Sequence, residues 1–231
     1  MEEFANLLYV SLPTVRRDLK ELEREGVLSR THGGASWNMS DRFLAPFAMR
    51  EKMNRREKQQ IAGIAAGLIE NGDSIFLSSG STAREFARQI NREYHLQVLT
   101  NGMSTAQFLS DRSNITVTCP AGQYNYDHDG VFGPEVEESI SRRYAKYGFF
   151  SCDGVDMEKG IMVMLDVELF LERAFRKQCD TLVVIADHSK FNRHFYCKSM
   201  DMREIDILIT DRSPGEAWEA FCRENSIELL Y

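Results

Sequence analysis

The chain has 231 residues, of which 43 % are hydrophobic, and a formal net charge of −7. That is enough apolar material for one larger domain and a small one. No apolar run reaches the roughly eighteen residues that a membrane helix needs, and the opening MEEFANLLYV lacks the basic start of a secretion signal. A soluble, cytoplasmic protein with no membrane partner is expected. The cysteines (119, 152, 179, 197 and 222) stand singly, and the histidines are equally dispersed. Buried free thiols are therefore expected, with no metal and no cofactor.

The charge is unevenly placed. Residues 1–60 hold 11 Lys/Arg against 9 Asp/Glu, whereas residues 61–231 hold 17 against 26. The acidic total argues against a nucleic-acid partner, but its distribution fits a weakly basic DNA-contacting end on an acidic body. Affinity from so modest an excess needs local clustering and two copies per site.

In chain order, the first clear element lies in VSLPTVRRDLKELEREGVLSRTHGGA, residues 10–35. Ser11 suits an N-cap, and Pro13 suits a first turn whose amides are unpaired anyway. Val15, Leu19 and Leu22 recur at helical spacing, and Pro13, Arg17, Lys20 and Arg24 fall opposite them, with Arg16 on the flank. Gly26 ends the helix, and Val27 to Ala35 reads as a strand-like piece tipped by His32-Gly33-Gly34. A basic helix followed by a glycine-tipped hairpin is what a winged helix-turn-helix presents to DNA. Periodicity alone leaves a solvated surface helix as the other reading.

Residues 37–54 have no clean period and contain Pro46, so they read as a linker between a DNA-binding domain (1–36) and an α/β domain (55–231). The basic cluster Arg50, Lys52, Arg55, Arg56 and Lys58 reads as a solvated helix start, with contact to DNA phosphates as the other reading. Beyond it, short apolar strands alternate with amphipathic helices. The strands are SIFLS (74–78), LQVLT (96–100), ITVTC (115–119), YGFFS (147–151), LVVIA (182–186), DILIT (206–210) and IELLY (227–231). The helices lie near 57–69, 82–91, 103–110, 134–145, 166–178 and 215–224. This alternation predicts a mostly parallel, doubly wound sheet.

Ligands bind such sheets at the carboxyl ends of their strands. Those ends carry Ser78 to Thr82, Thr100-Asn101-Gly102, Ala121-Gly122, Ser151 to Gly154, and Asp187 to Lys190. The first opens a helix, so free amides and hydroxyls converge where an anion would sit. Asp187 and Lys190 suit a sugar hydroxyl and a phosphate or carboxylate.

The string Val10, Ser11, Thr14, Val15, Arg16, Arg17, Asp18, Leu19, Leu22 and Gly26, followed by His32 to Ala35, closely resembles the signature of the DeoR-type family of bacterial transcriptional regulators. Residues 57–211 resemble that family's effector-sensing domain, related in fold to ribose-5-phosphate isomerase. The matching motifs are Gly72 to Leu77, Ser79 to Thr82, Thr100-Asn101, Gly133-Pro134, Asp153 to Asp156, Ala186 to Phe191, and Ile209 to Asp211. The chain departs from the family at Ser78, where an aspartate is usual, and at Ile161 to Met164, where hydroxyl residues are usual. Both changes remove polar groups near the expected crevice. The family also places a complete helix before the segment matching Glu2 to Leu8. Its absence here predicts that Phe4, Leu7 and Val15 are partly uncovered.

The resemblance implies a repressor of a carbohydrate-metabolism operon, acting as a homo-oligomeric dimer or tetramer on operator DNA and controlled by a phosphorylated sugar. Ser11, Thr14, Arg16, Arg17, Lys20, Arg30 and His32 are the expected DNA contacts. Ser79, Gly80, Ser81, Thr82, Asn101, Gly122, Asp153, Gly154, Asp187 and Lys190 are the expected effector contacts. No catalytic residue is expected. Two alternatives stand beside this: a sugar-phosphate isomerase, with Asp153 or Asp187 as base, and a sensor that has lost DNA binding.

Overall fold

The computed structural model describes residues 2–24, 28–31, 34–37 and 46–231. They fall into two compact units, residues 1–45 and 46–231.

In the first unit, α1 (Glu2–Leu8) precedes α2 (Leu12–Arg24), and β1 (Leu28–Thr31) pairs antiparallel with β2 (Gly34–Trp37). Ser11 stands just before α2, and its Oγ accepts the backbone N–H of Thr14 at 3.3 Å, as an N-cap should. Ala5, Val15 and Leu19 form a small core with Leu12, Leu22 and Ala35. Phe4 and Leu7 remain 42 % and 74 % exposed, as expected, but Val15 is only 3 % exposed. Contacts with Ala5 and Leu19 suffice to cover its short side chain.

The second unit begins with α3 (Phe47–Arg50) and α4 (Arg55–Leu68), followed by β3 (Ser74–Leu77), α5 (Ser81–Gln89), β4 (Leu96–Thr100), α6 (Met103–Ser110) and β5 (Ile115–Thr118). A hairpin of β6 (Gln123–Asn125) and β7 (Gly130–Phe132) leads to α7 (Pro134–Ser141) and β8 (Ala145–Phe150). Next come β9 (Gly154–Asp156), β10 (Gly160–Val163), α8 (Asp166–Gln178), β11 (Cys179–Ile185), β12 (Cys197–Met200), β13 (Ile207–Ile209), α9 (Glu216–Glu224) and β14 (Glu228–Leu230). Residues 46–54 thus belong to this unit and are not a linker. The helix expected over 134–145 stops at Ser141, because Ala145 already pairs with Cys179 in the sheet.

Seven strands form one parallel sheet in the order β14-β13-β11-β8-β3-β4-β5. Successive side chains alternate between its faces. Ile75, Leu77, Phe149 and Val183 pack under α4 and α5 with Ile61, Ala65 and Phe86. Phe76, Phe150 and Val184 pack on the other face against Ile140 of α7, Phe175 of α8 and Trp218 of α9. The expected doubly wound α/β fold is present. A small antiparallel sheet, β12-β10-β9, sits beyond the end of β8. Ile161, Met162 and Val163 in it are buried, so their departure from hydroxyl residues supplies apolar core.

Winding proceeds outward from β3 through β4 to β5, and in the opposite direction from β8 through β11 and β13 to β14. The order reverses between β3 and β8, where the loops leaving adjacent strands diverge and open a crevice. Among the described residues, no helix is long and apolar enough to cross a membrane.

Candidate functional site

A crevice enclosing about 820 Å³, counted to its open mouth, occupies this switch point. Its lining comes from the ends of β3 (Ser78 to Thr82), β8 (Ser151 to Asp153) and β11 (Ile185 to Asp187, Ser189, Lys190). The remaining walls come from α8 (Glu168, Leu171, Glu172), from His128, Phe132 and Val163, and from the opening segment of the unit (Arg50, Met53, Asn54, Lys58).

The β3 end is built for close approach. Gly80 adopts φ 124°, which favours glycine, and a Cβ there would lie 2.7 Å from Ser151 Oγ. This glycine starts α5, whose first intrahelical bond runs from Arg84 N–H to Gly80 O at 3.0 Å. No side chain caps the helix, so the amides of its first turn have no partner within it. Ser78 donates through Oγ to Ser79 O at 3.1 Å and accepts from Ser151 N–H at 3.3 Å, bridging β3 and β8.

Opposite lie three cations. Lys58 is 6 % exposed, and its Nζ donates to the carbonyls of Arg50 and Met53. Burial lowers its pKa from 10.5 to about 8, against the pull of Asp187. An ammonium has three donors, so one remains for a ligand. Burial also lowers the Arg50 pKa, opposed by Asp153 and Glu168. The backbone N–H of Lys190 donates to Asp187 O at 2.9 Å, and its side chain makes no hydrogen bond or ion pair among the described residues. The cluster expected to be a solvated helix start is therefore divided: Lys52, Arg55 and Arg56 are exposed, while Arg50 and Lys58 line the crevice. The signal in the sequence was Lys58 itself, which shares the buried face of α4 with Ile61, Ala62 and Ala65.

Of the expected effector residues, Ser79, Gly80, Ser81, Thr82, Asp153, Asp187 and Lys190 meet in this crevice. Asn101, Gly122 and Gly154 do not. Asn101 is fully buried: its Oδ1 accepts from Ser79 N–H at 2.7 Å and its Nδ2 donates to Val131 O at 3.1 Å, so it holds the β3 loop in place from behind. Gly122 packs where a Cβ would lie 2.6 Å from Phe132 O, and Gly154 packs against the carbonyl of Arg193. Both glycines serve close backbone packing.

Sequence reasoning missed Arg50, Asn54, Lys58, His128, Glu168 and Glu172. The α8 acids had a readable signal, because Glu168, Leu171, Glu172 and Phe175 share one helical face. Glu172 is 3 % exposed and accepts from Ser199 Oγ. Burial pushes its carboxyl well above the usual range. Cys152, at the end of β8 in the same crevice, is likewise raised by burial. Among the described residues, no group of His, Cys, Asp or Glu could hold a metal ion.

In the first unit, Arg16, Arg17, Lys20 and Arg24 are exposed on α2, and Thr14 lies beside Ser11, the two hydroxyl oxygens 2.8 Å apart. Arg30 stands on β1 opposite Ala35. Its side chain, and His32, lie outside the described residues.

A helix-turn-helix with a hairpin wing, on a chain whose α/β body carries a switch-point crevice, defines a ligand-responsive DNA-binding regulator. The chain belongs to the DeoR family: residues 1–41 match the DeoR-like helix-turn-helix domain and residues 53–212 the DeoR C terminal sensor domain. The HTH-type transcriptional repressor GlcR of Bacillus subtilis is 31 % identical over 99 % of this chain and 88 % of its own. The glycerol-3-phosphate regulon repressor of Escherichia coli is 27 % identical over 99 % of this chain and 90 % of its own. Among solved structures, the tetrameric eIF2B-beta2-delta2 complex from C. thermophilum shares the fold, with a TM-score of 0.53 and 12 % identity over 74 % of this chain and 60 % of that one. Ribose 5-phosphate isomerase A from Methanocaldococcus jannaschii aligns with a TM-score of 0.44 and 18 % identity, over 60 % of this chain and 55 % of that one.

Proposed function

We propose that this protein represses a carbohydrate-metabolism operon, and that a phosphorylated sugar bound in the switch-point crevice controls its hold on DNA. One observation carries the ligand class. The uncapped start of α5, with Ser79 to Thr82, faces a crevice that also receives Lys58 and Lys190. Helix amides and cations together favour an anion, and a phosphate monoester uses several donors at once. The acids on α8 and the apolar wall of Phe132, Val163 and Leu171 suit the sugar body.

DNA binding is assigned to α2 and the β1–β2 wing. Arg16, Arg17 and Lys20 enter or flank the major groove, Ser11 and Thr14 contact phosphate, and Arg30 and His32 lie on the wing. A homo-oligomer places two such units on one operator. The proposal includes no catalysis. A general base needs a carboxylate free to reach substrate. In both candidates one oxygen already serves the fold: Asp153 Oδ2 accepts from Met164 N–H at 2.8 Å, and Asp187 Oδ1 accepts from Ser189 N–H at 2.9 Å and Asn54 Nδ2 at 3.2 Å.

Fluorescence anisotropy with the DNA flanking the protein's own gene tests this directly, with a panel of pentose and hexose monophosphates and their parent sugars. Binding of that DNA, altered by one phosphorylated sugar and not by its parent, is the expected result. DNA binding unaffected by the whole panel removes the effector assignment. Sugar-phosphate binding without DNA binding favours the sensor that has lost its operator.

A further inference from the structure

The end of the crevice formed by α8 has a hydrogen-bonding pattern different from that of the phosphate end. Glu168 Oε1 lies 2.9 Å from His128 Nδ1, and His128 is 6 % exposed. The other oxygen, Glu168 Oε2, is buried without a hydrogen-bond partner among the described residues. Arg50 donates from Nη2 to Asp127 O at 2.7 Å, and its Nε is also buried without a partner among the described residues. The two side chains line the same crevice, and Glu168 is among the charges that act on Arg50.

A buried acceptor and a buried donor, each left over after its own protein contacts, are costly unless something completes them. Phosphate does not suit the acceptor, because the Glu168 and Asp153 carboxylates would repel it. An ammonium satisfies Glu168 but turns its own N–H groups toward the Arg50 donor. A hydroxyl suits each of them, since it can give its proton to Oε2 and accept from Nε–H. We propose that Glu168 and Arg50 form a hydroxyl-reading subsite, so that the effector is a polyhydroxylated phosphate ester and Glu168 discriminates it from phosphate alone. This rests on the sugar-phosphate reading of the crevice.

The subsite explains how one crevice both attracts and selects. The cationic end supplies affinity that any phosphate shares. The α8 end adds a term available only to a ligand with a correctly placed hydroxyl, and a site with unpaired polar groups rejects analogues that lack the matching group.

The test uses the full chain and titration calorimetry with inorganic phosphate, a set of aldose and ketose monophosphates, and glucosamine 6-phosphate. Glu168→Met keeps the side-chain length and removes the acceptor, whereas Glu168→Gln keeps an acceptor oxygen. For the tightest-binding sugar phosphate, the Met variant should lose at least tenfold more affinity than it loses for inorganic phosphate, and the Gln variant should recover most of that loss. Equal losses for both ligands would show that Glu168 acts only on the structure of the site, and undiminished sugar-phosphate binding would remove it from recognition. Tightest wild-type binding by glucosamine 6-phosphate would replace the hydroxyl by an ammonium and overturn the assignment. Failure of the wild-type chain to bind any phosphate compound would instead reject the underlying sugar-phosphate reading. Should Glu168→Met not fold, Arg50→Lys, which retains the charge but lacks Nε, should show the same selective loss, and its absence overturns the subsite.

Discussion

Asn54 donates from Nδ2 to Asp187 Oδ1 across 3.2 Å, joining the segment that opens the sensor unit to the end of β11. The same amide lies 3.3 Å from Ser189 Oγ. Lys58 holds the carbonyls of Arg50 and Met53 from one turn further along. A ligand that touches Lys58 or Asp187 therefore acts on the part of this unit nearest in sequence to the DNA-binding unit.

Loss of that tie should uncouple sensing from DNA release. Asn54 has φ 47°, so glycine is the substitution that removes the side chain without left-handed strain. Asn54→Gly should leave DNA affinity unchanged without effector, yet require severalfold more effector to alter it. Anisotropy titrations read both quantities, and an unchanged effector response would show that the contact has no part in coupling.

Lys58 gives a pH signature. Its pKa is lowered from 10.5 to about 8 by burial, so between those values the unfolded chain binds more protons than the native one. Stability attributable to this group therefore rises with pH across that window and is flat below it. Lys58→Met should abolish that component, seen as a smaller gain in denaturation midpoint from pH 8 to pH 10 than in the wild type. Parallel pH profiles for the two proteins would contradict the buried ammonium. An anion bound beside Lys58 should also cause net proton uptake near pH 8, measurable by calorimetry in buffers of different ionisation enthalpy.

Gly80 is the residue at the β3 end least able to change. At φ 124° and ψ 158° a side chain costs roughly 1–3 kcal/mol in backbone strain, and the Cβ contact with Ser151 Oγ adds to it. Gly80→Ala should lower the thermal midpoint and abolish the shift produced by phosphorylated sugars. Gly72 has φ 95° but nothing within 4 Å of a Cβ, so Gly72→Ala should destabilise without affecting ligand. Retention of the ligand shift in Gly80→Ala would argue against phosphate at the start of α5.

The seven strands of the parallel sheet were legible because each is a compact apolar run, buried on both faces in the central β3, β8, β11 and β13 and only partly buried at the edges. The antiparallel strands β6, β7, β9, β10 and β12 were not, because they lack the alternation with helices that marked the equally short β3, β5, β13 and β14. For the crevice, the strand-end loops were readable from their glycine and hydroxyl residues, since local backbone demands choose those residue types. Arg50 and Lys58 were not, because a charge run looks the same whether water or a distant strand end covers it. Asn101 shows the converse: its place at a strand end suggested ligand contact, but only the pairing of β3 with β4 and the return of Val131 reveal that its amide is fully engaged.

Arg17 offers the sharpest test of the DNA-binding face. It lies opposite Val15 and Leu19, which are 3 % and 8 % exposed, and its own side chain is 76 % exposed. Its ion pair with Asp18, at 3.2 Å, joins adjacent residues in full solvent. Such a pair contributes about 0–1 kcal/mol, so the guanidinium is readily released to another partner. Arg17→Ala should leave the thermal midpoint nearly unchanged, because no packing is lost, while weakening operator binding. If the guanidinium reads a guanine, the loss is roughly 1–3 kcal/mol and falls mainly on the cognate sequence. If it grips phosphate, affinity falls on all sequences and the salt dependence becomes shallower. Arg17→Lys separates the two, because lysine keeps the charge but lacks the planar fork. Restoration by lysine assigns Arg17 to the backbone, continued loss assigns it to a base, and unaltered affinity for Arg17→Ala at fixed salt takes this face of α2 out of the interface.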